Sequence, residues 1–441
     1  MTRGAKARDT GDVGVSHDRL DLTIERPAVG GRMIARHQGR VVLVEGAIPG
    51  ERVRVVVERA RRDVLFARTV DVLDASPDRR PVRTPPSCGG RRFAHIAYQR
   101  QLDLKAEIVR DALLRIGRID LTASPSVAAS DRSGYRMRAR LHVAPGRVGF
   151  FDDGSHDVCH VGGTGMLSTR TEWVVERLNT LAGVLTNVGT QTIDVAEDLP
   201  GDHCVLHLAV AHATESTLHQ LSGDALADHV SGLSVSRVDS GRPVRIVFGI
   251  PWVSDPVVAF LSSRGGDTSL RRHATAFFQS NRSLVPRLVA AVAALWDRGP
   301  LVDLYAGVGL FAVSLASGDA RRVTAVERDP VSSRDLVANA ADQTGVEVVC
   351  AAVETYLKRC GALHDATVIV DPPRSGLSQE VVTRLIRRRP RRVIYVSCDV
   401  STQARDLRRL TSAGYGLTDV HVFDMFPDTP HIETVVALDV R

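Results

Sequence analysis

The chain has 441 residues, enough for two or three domains. Hydrophobic residues make up 44% and charged residues 24%, which excludes global disorder and a disulfide-stapled mini-fold. A net charge of +6 leans toward polyanionic partners, and aromatics at 5% are too scarce for grip by base stacking alone.

Residues 1–18 read as a polar, flexible leader with no apolar stretch for export. From Leu20 to Leu73 short runs rich in valine and isoleucine are punctuated by Gly30–Gly31, Gly39 and Pro49–Gly50. They predict five strands and a small OB-like β-barrel over 19–76. Between Gly31 and Arg62, Arg32, Arg36, Arg40, Arg52, Arg54, Arg59, Arg61 and Arg62 stand against only Glu45, Glu51 and Glu58. Such a barrel suits a nucleic-acid backbone, and a solvated face that resists edge pairing is the equal alternative.

A Pro/Arg-rich linker is expected over 77–95, then a helix over 97–118 stopped by Gly117, opening a β-rich central domain over 96–262. His156, His160, His203, His207, His212 and His219 in that region have no metal-ligand spacing. From 263 to 441 strands and helices alternate, which predicts an α/β domain with a doubly wound parallel sheet. The six cysteines, Cys88, Cys159, Cys204, Cys350, Cys360 and Cys398, include no CxxC pair. That pattern predicts a reduced, cytoplasmic protein without a disulfide framework. No apolar run is long enough to cross a bilayer, so no membrane partner is expected.

Four motifs carry chemistry. Asp303-Leu-Tyr-Ala-Gly-Val-Gly309 follows an apolar strand and opens a helix, and Glu327 closes the next strand. A glycine turn with an acid at that distance suits a nucleoside cofactor, the acid bonding the ribose hydroxyls. Two glycines without a third turn the reading from NAD to S-adenosylmethionine. Asp371-Pro-Pro-Arg-Ser-Gly376 follows a second apolar strand, and its prolines hold an extended loop at the same sheet edge. Cys398 sits where a third strand meets a helix, a place where the helix terminus and nearby arginine favour a thiolate nucleophile. Glu433, in His431-Ile-Glu433, is a candidate general base or a strand-edge surface acid.

Together these motifs resemble the RNA (uracil-5-)-methyltransferase family of the bacterial 23S rRNA type. The matching blocks are FFQSN (277–281), DLYAGVG (303–309), VE (326–327), DPPRSGL (371–377), YVSCDVSTQARDL (395–407) and DMFPDTPHIETV (424–435). CGGRRFAHIAYQRQLDLK (88–105) matches the family's linker, and the stretch with GRVVLVEGAIPGERV looks like a TRAM domain. The resemblance implies a Rossmann-like class I methyltransferase domain using S-adenosylmethionine. It assigns Cys398 as nucleophile and Glu433 as base, and places Gln279, Tyr305, Glu327 and Asp371 at the cofactor and uracil site. The implied chemistry methylates C5 of a flipped uridine through an adduct at C6. By this analogy 23S rRNA is the expected substrate and tRNA the alternative, with a non-catalytic RNA-binding or ribosome-assembly role as the competing class. A monomer is expected. Many relatives bind a [4Fe–4S] cluster through four cysteines; here only Cys88 and Cys159 match, and Arg91 replaces a third, so no cluster is expected.

Overall fold

The computed structural model describes residues 18–82, 88–212, 214–222, 226, 228–238, 245–262, 267–316 and 322–441. All of the expected leader except Asp18 lies outside them, as do residues 83–87 of the linker and the boundary position 263.

The chain forms two compact units. The first takes the described residues before 83 with Arg91–Ile108 and Asp428–Pro430. Its sheet has six strands, and Arg52–Ala60 alternates valine inward with arginine outward: Val53, Val55 and Val57 are buried while Arg52 and Arg54 are not. The sixth strand, beyond the five expected, is the short edge Arg26–Pro27. The run LDLTIERP divides because Ile24 donates to the Glu51 carbonyl while Glu25 donates to Ile34, so the chain changes partner mid-run. Glu51 is buried and neutralised by the Arg79 fork, with both bonds at 2.6 Å. Gly31 has φ +85, and a Cβ there would lie 2.3 Å from Pro430.

Among the described residues the second unit holds two large sheets and a two-stranded one, Trp252–Pro256 with Ser269–His273. The central one has seven strands, with Arg138–Ala144, Thr190–Glu197 and Cys204–Val210 adjacent and the helix Thr169–Thr180 packed near it. Ser168 caps that helix by accepting from Thr171 N–H at 3.1 Å. The other sheet has eight strands in the order Val346–Cys350, Val323–Glu327, Leu301–Leu304, Thr367–Val370, Arg392–Ser397, Glu433–Val440, Tyr415–Phe423 and Val127–Ala128. The first five are parallel, and the four inside the edge strand Val346–Cys350 are nearly unbroken apolar runs, as strands covered on both faces require. Glu433–Val440 enters antiparallel between two neighbours. The chain winds one way from Leu301–Leu304 and the other way from Thr367–Val370, so a crevice opens above the carboxyl ends of these two strands. The two-residue strand Val127–Ala128, from the expected central region, completes this sheet.

The cysteine expectation is corrected. Phe150 pairs with Cys159 across one hairpin, and Cys88 bridges to Asp152 on the same hairpin. This brings the two sulfurs together, and Cys88 and Cys159 form a disulfide across 71 residues. Sequence spacing sees only local pairs, so this contact was invisible to it.

Candidate active site

Leu301–Leu304 ends in a turn that only permissive backbone can make: Tyr305 has φ +63, Gly307 +58 and Gly309 +95. A Cβ at Gly309 would meet Leu336 and Val313, each at 2.8 Å. Asp303 is fully buried, accepts from the Ala312 N–H at 2.9 Å, and leaves its other oxygen without a partner. Burial, helped by the charges of Asp371 and Glu327, pushes its carboxyl up to about 8. Glu327 reaches back over this turn and accepts from the Gly307 N–H at 2.9 Å, as well as from Arg328 and Asp329. The acid of the spacing argument thus holds the glycine turn itself. Burial and the charge of Glu354 push the Tyr305 hydroxyl upward.

The FFQSN segment is fixed by main-chain bonds: Met137 donates to Ser280 and Arg282 donates to Tyr135, both at 2.9 Å. Buried Asn281 donates to Ser130 and to the Met425 carbonyl, and accepts from Ser283 and Leu284 ahead of the helix Val285–Leu295. This anchorage presents Gln279, which donates to Asp371 at 3.3 Å. Burial pushes the Asp371 carboxyl up to about 7, with the Gln279 bond opposing.

Cys398 follows Ser397, and Asp399 caps the next helix, Val400–Ser412, by accepting from Thr402 at 2.8 Å. The antiparallel ladder runs from Arg392↔Asp439 to Ser397↔Thr434, so one further step sets Cys398 across from Glu433. Thirty-five residues of sequence are closed by register. Thr434 locks that end of the ladder by donating to the Ser397 carbonyl and to Gln403. Glu433 is 2% exposed and one carboxylate oxygen lacks a partner among the described residues. Burial, then the charge of Asp371, raises its proton affinity well above the usual range, with Arg374 opposing.

The expected thiolate is corrected as well. Burial first, then Glu433 and Asp371, push the Cys398 thiol up to about 12, against the pull of the Arg374 guanidinium that bonds it. Gln279, Asp371, Cys398 and Glu433 thus share one crevice, with Tyr305 and Glu327 at the turn one strand away. Arg374 was not singled out in the sequence; its place three residues after Asp371, on the loop that must overhang the crevice, was the available signal.

The tRNA (Uracil-5-)-methyltransferase family matches residues 359–441, and the TRAM domain matches residues 18–70. An uncharacterized RNA methyltransferase of Thermotoga maritima is 32% identical over 95% of this chain and 98% of its own length. The chain belongs to the RNA uracil-5-methyltransferase family. A second member, from Aquifex aeolicus, is 28% identical over 96% of this chain and 99% of its own. The fold agrees with the crystal structure of Pyrococcus abyssi tRNA (uracil-54, C5)-methyltransferase in complex with S-adenosyl-L-homocysteine. The TM-score is 0.72 at 21% identity, covering 95% of this chain and all of that one. The iron–sulfur cluster that the family resemblance raises does not fit these residues. Cys88, Asp152 and Cys159 gather their ligand atoms within 4.8 Å, yet two thiolates fall short of four and both sulfurs are spent in the disulfide. Among the described residues no helix is long and apolar enough to cross a membrane.

Proposed function

We propose that this family member transfers a methyl group from S-adenosylmethionine to C5 of a uridine in cytoplasmic RNA, with 23S rRNA first and tRNA second among substrates. The observation that supports the reading is the ladder ending at Ser397↔Thr434, which brings Cys398 near Glu433, beside Asp371 and Gln279, at the carboxyl edge of the parallel sheet.

The glycine turn offers open backbone to a nucleoside, and Glu327 is already held there with its carboxylate toward the turn. The Gly turn, Tyr305, Glu327 and the Gln279–Asp371 pair would therefore hold the donor. When bound, the donor supplies an electrophilic methyl on a sulfonium. Every other step belongs to the chain's own residues. Cys398 rests as a thiol, so it gives up its proton before it attacks; Asp371, poised at about 7, is a suitable acceptor. The sulfur then bonds C6 of the flipped uracil, and the ring's electron pair moves to make C5 nucleophilic. C5 takes the methyl. Glu433, whose raised proton affinity suits a base, removes the C5 proton. The freed pair restores the ring double bond and expels the sulfur. Arg374 steadies the departing thiolate and favours the ionised form of Glu433.

The test is methyl transfer from labelled S-adenosylmethionine to 23S rRNA and to tRNA transcripts. Cys398→Ala is expected to abolish transfer. Glu433→Gln is expected to accumulate an RNA–protein adduct that survives denaturing gel electrophoresis. Transfer by Cys398→Ala at the unaltered rate would refute the mechanism, and preference for tRNA would reassign the substrate.

A further inference from the structure

The helix that follows Cys398 carries more positive charge than the crevice uses. On Val400–Ser412, Arg405, Arg408 and Arg409 are three and four residues apart and share one face. With Ile116 and Ile386 they line a surface pocket of about 500 Å³. Arg405 is partly committed, to Asp406 at 2.9 Å and to the carbonyls of Ser375 and Leu377. Among the described residues Arg409 reaches only the Gln379 carbonyl, at 3.5 Å. The exposed Arg408 guanidinium has no partner among the described residues. Above the pocket, Thr402 donates to the Arg374 carbonyl at 3.1 Å, and the Arg374 side chain bonds the Cys398 sulfur. Cations therefore run from the nucleophile down the helix, over about 14 Å between Asp399 and Arg408.

A helix dipole rewards cations only in the last turn, which covers Arg409 but not Arg405 in mid-helix. Like charges at this spacing repel, and one neighbouring acid, Asp406, does not balance three arginines. An anion in the pocket would. The isoleucine floor suits the sugar or base that a bare inorganic anion lacks.

We propose that this pocket holds a phosphodiester of the RNA strand leaving the catalytic crevice, its sugar or base resting on Ile116 and Ile386. The proposal rests on the RNA methyltransferase reading above. The test uses the full chain and a fluorescein-labelled RNA hairpin with a uridine-containing loop, titrated over a range of salt. The double variant R408Q/R409Q is expected to bind the hairpin roughly tenfold more weakly at 150 mM salt. The slope of log Kd against log salt is expected to fall by about 1.4 to 1.8, the share of two phosphate contacts. S-adenosylmethionine binding by calorimetry should keep the wild-type affinity, and R408K should keep RNA binding. The variant K358Q/R359Q loses the same charge on another helix and should change neither quantity.

An unaltered slope in R408Q/R409Q, or an equal loss in K358Q/R359Q, would overturn the proposal. Should the double variant lose cofactor binding through misfolding, R408Q alone decides, because the Arg408 guanidinium makes no hydrogen bond or ion pair among the described residues; about half the shift is then expected. The broader functional reading fails by a different sign, absence of methyl transfer by the wild type, whereas the pocket is judged on RNA binding alone.

Discussion

Replacing Glu433 by glutamine tests the electrostatics of the Cys398 site directly. The thiol stands at about 12 against an ordinary 9.0. That gap corresponds to about 4 kcal/mol, and at pH 7.5 it leaves roughly one thiolate in 30,000. Burial is the largest cause and the Glu433 carboxylate the second, ahead of Asp371. Glutamine keeps the shape and removes the charge. Where the Glu433 carboxyl is ionised, toward the alkaline end of pH 7 to 9.5, Cys398 should be alkylated faster in the variant, by about tenfold. Iodoacetamide labelling read by mass spectrometry measures this, and exposed Cys350 serves as an internal standard in the same sample. Equal Cys398 rates in wild type and Glu433→Gln, with Cys350 constant, would show that the carboxylate does not bear on the sulfur, and the paired-site reasoning would fall.

Acid stability follows from two buried histidines of the second unit. Burial pushes His207 and His273 down to about 4, so the unfolded chain takes up their protons first, and their contribution to stability is full above pH 6.5 and is lost as pH falls from 6.5 to 4. Replacing both by glutamine should remove up to about 2.7 kcal/mol per pH unit of slope in that window, measured by urea unfolding. Gly309→Val should weaken cofactor binding and cost about 1–3 kcal/mol of stability, since φ +95 and the 2.8 Å contacts both oppose it; calorimetry and thermal denaturation report the two. Asn281→Ala removes the acceptor for Ser283 and Leu284, with an expected loss of about 1–2 kcal/mol and a raised KM for the donor through a displaced Gln279.

The parallel sheet was legible because apolar strands and helices alternate from Leu301 onward, and buried parallel strands have few other ways to read. The chemical motifs were legible because each sits at the exit of such a strand. What periodicity does not carry is register. Nothing in the spacing of Cys398 and Glu433 puts them face to face; a ladder between Arg392–Ser397 and Glu433–Val440 does. The state of the thiol was misjudged for a related reason. An arginine and a helix terminus are visible in sequence, but the two carboxylates and the burial that outweigh them arrive from other strands. The strand Val127–Ala128 is too short for any pattern, and the Cys88–Cys159 bond joins segments that only tertiary folding makes neighbours.

The insertion of Glu433–Val440 between two partners has a consequence for how such a chain tolerates change in length. Side chains alternate through a sheet, so deleting a single residue inside this strand would swing the carboxylate to the opposite face and silence the chemistry without unfolding the domain. The nine residues between Phe423 and Glu433, outside either strand, are held by other means: Met425 is fully buried and its carbonyl accepts from Asn281. Changes of length tolerated in the course of divergence should therefore fall outside both strands and outside the buried connection that joins them.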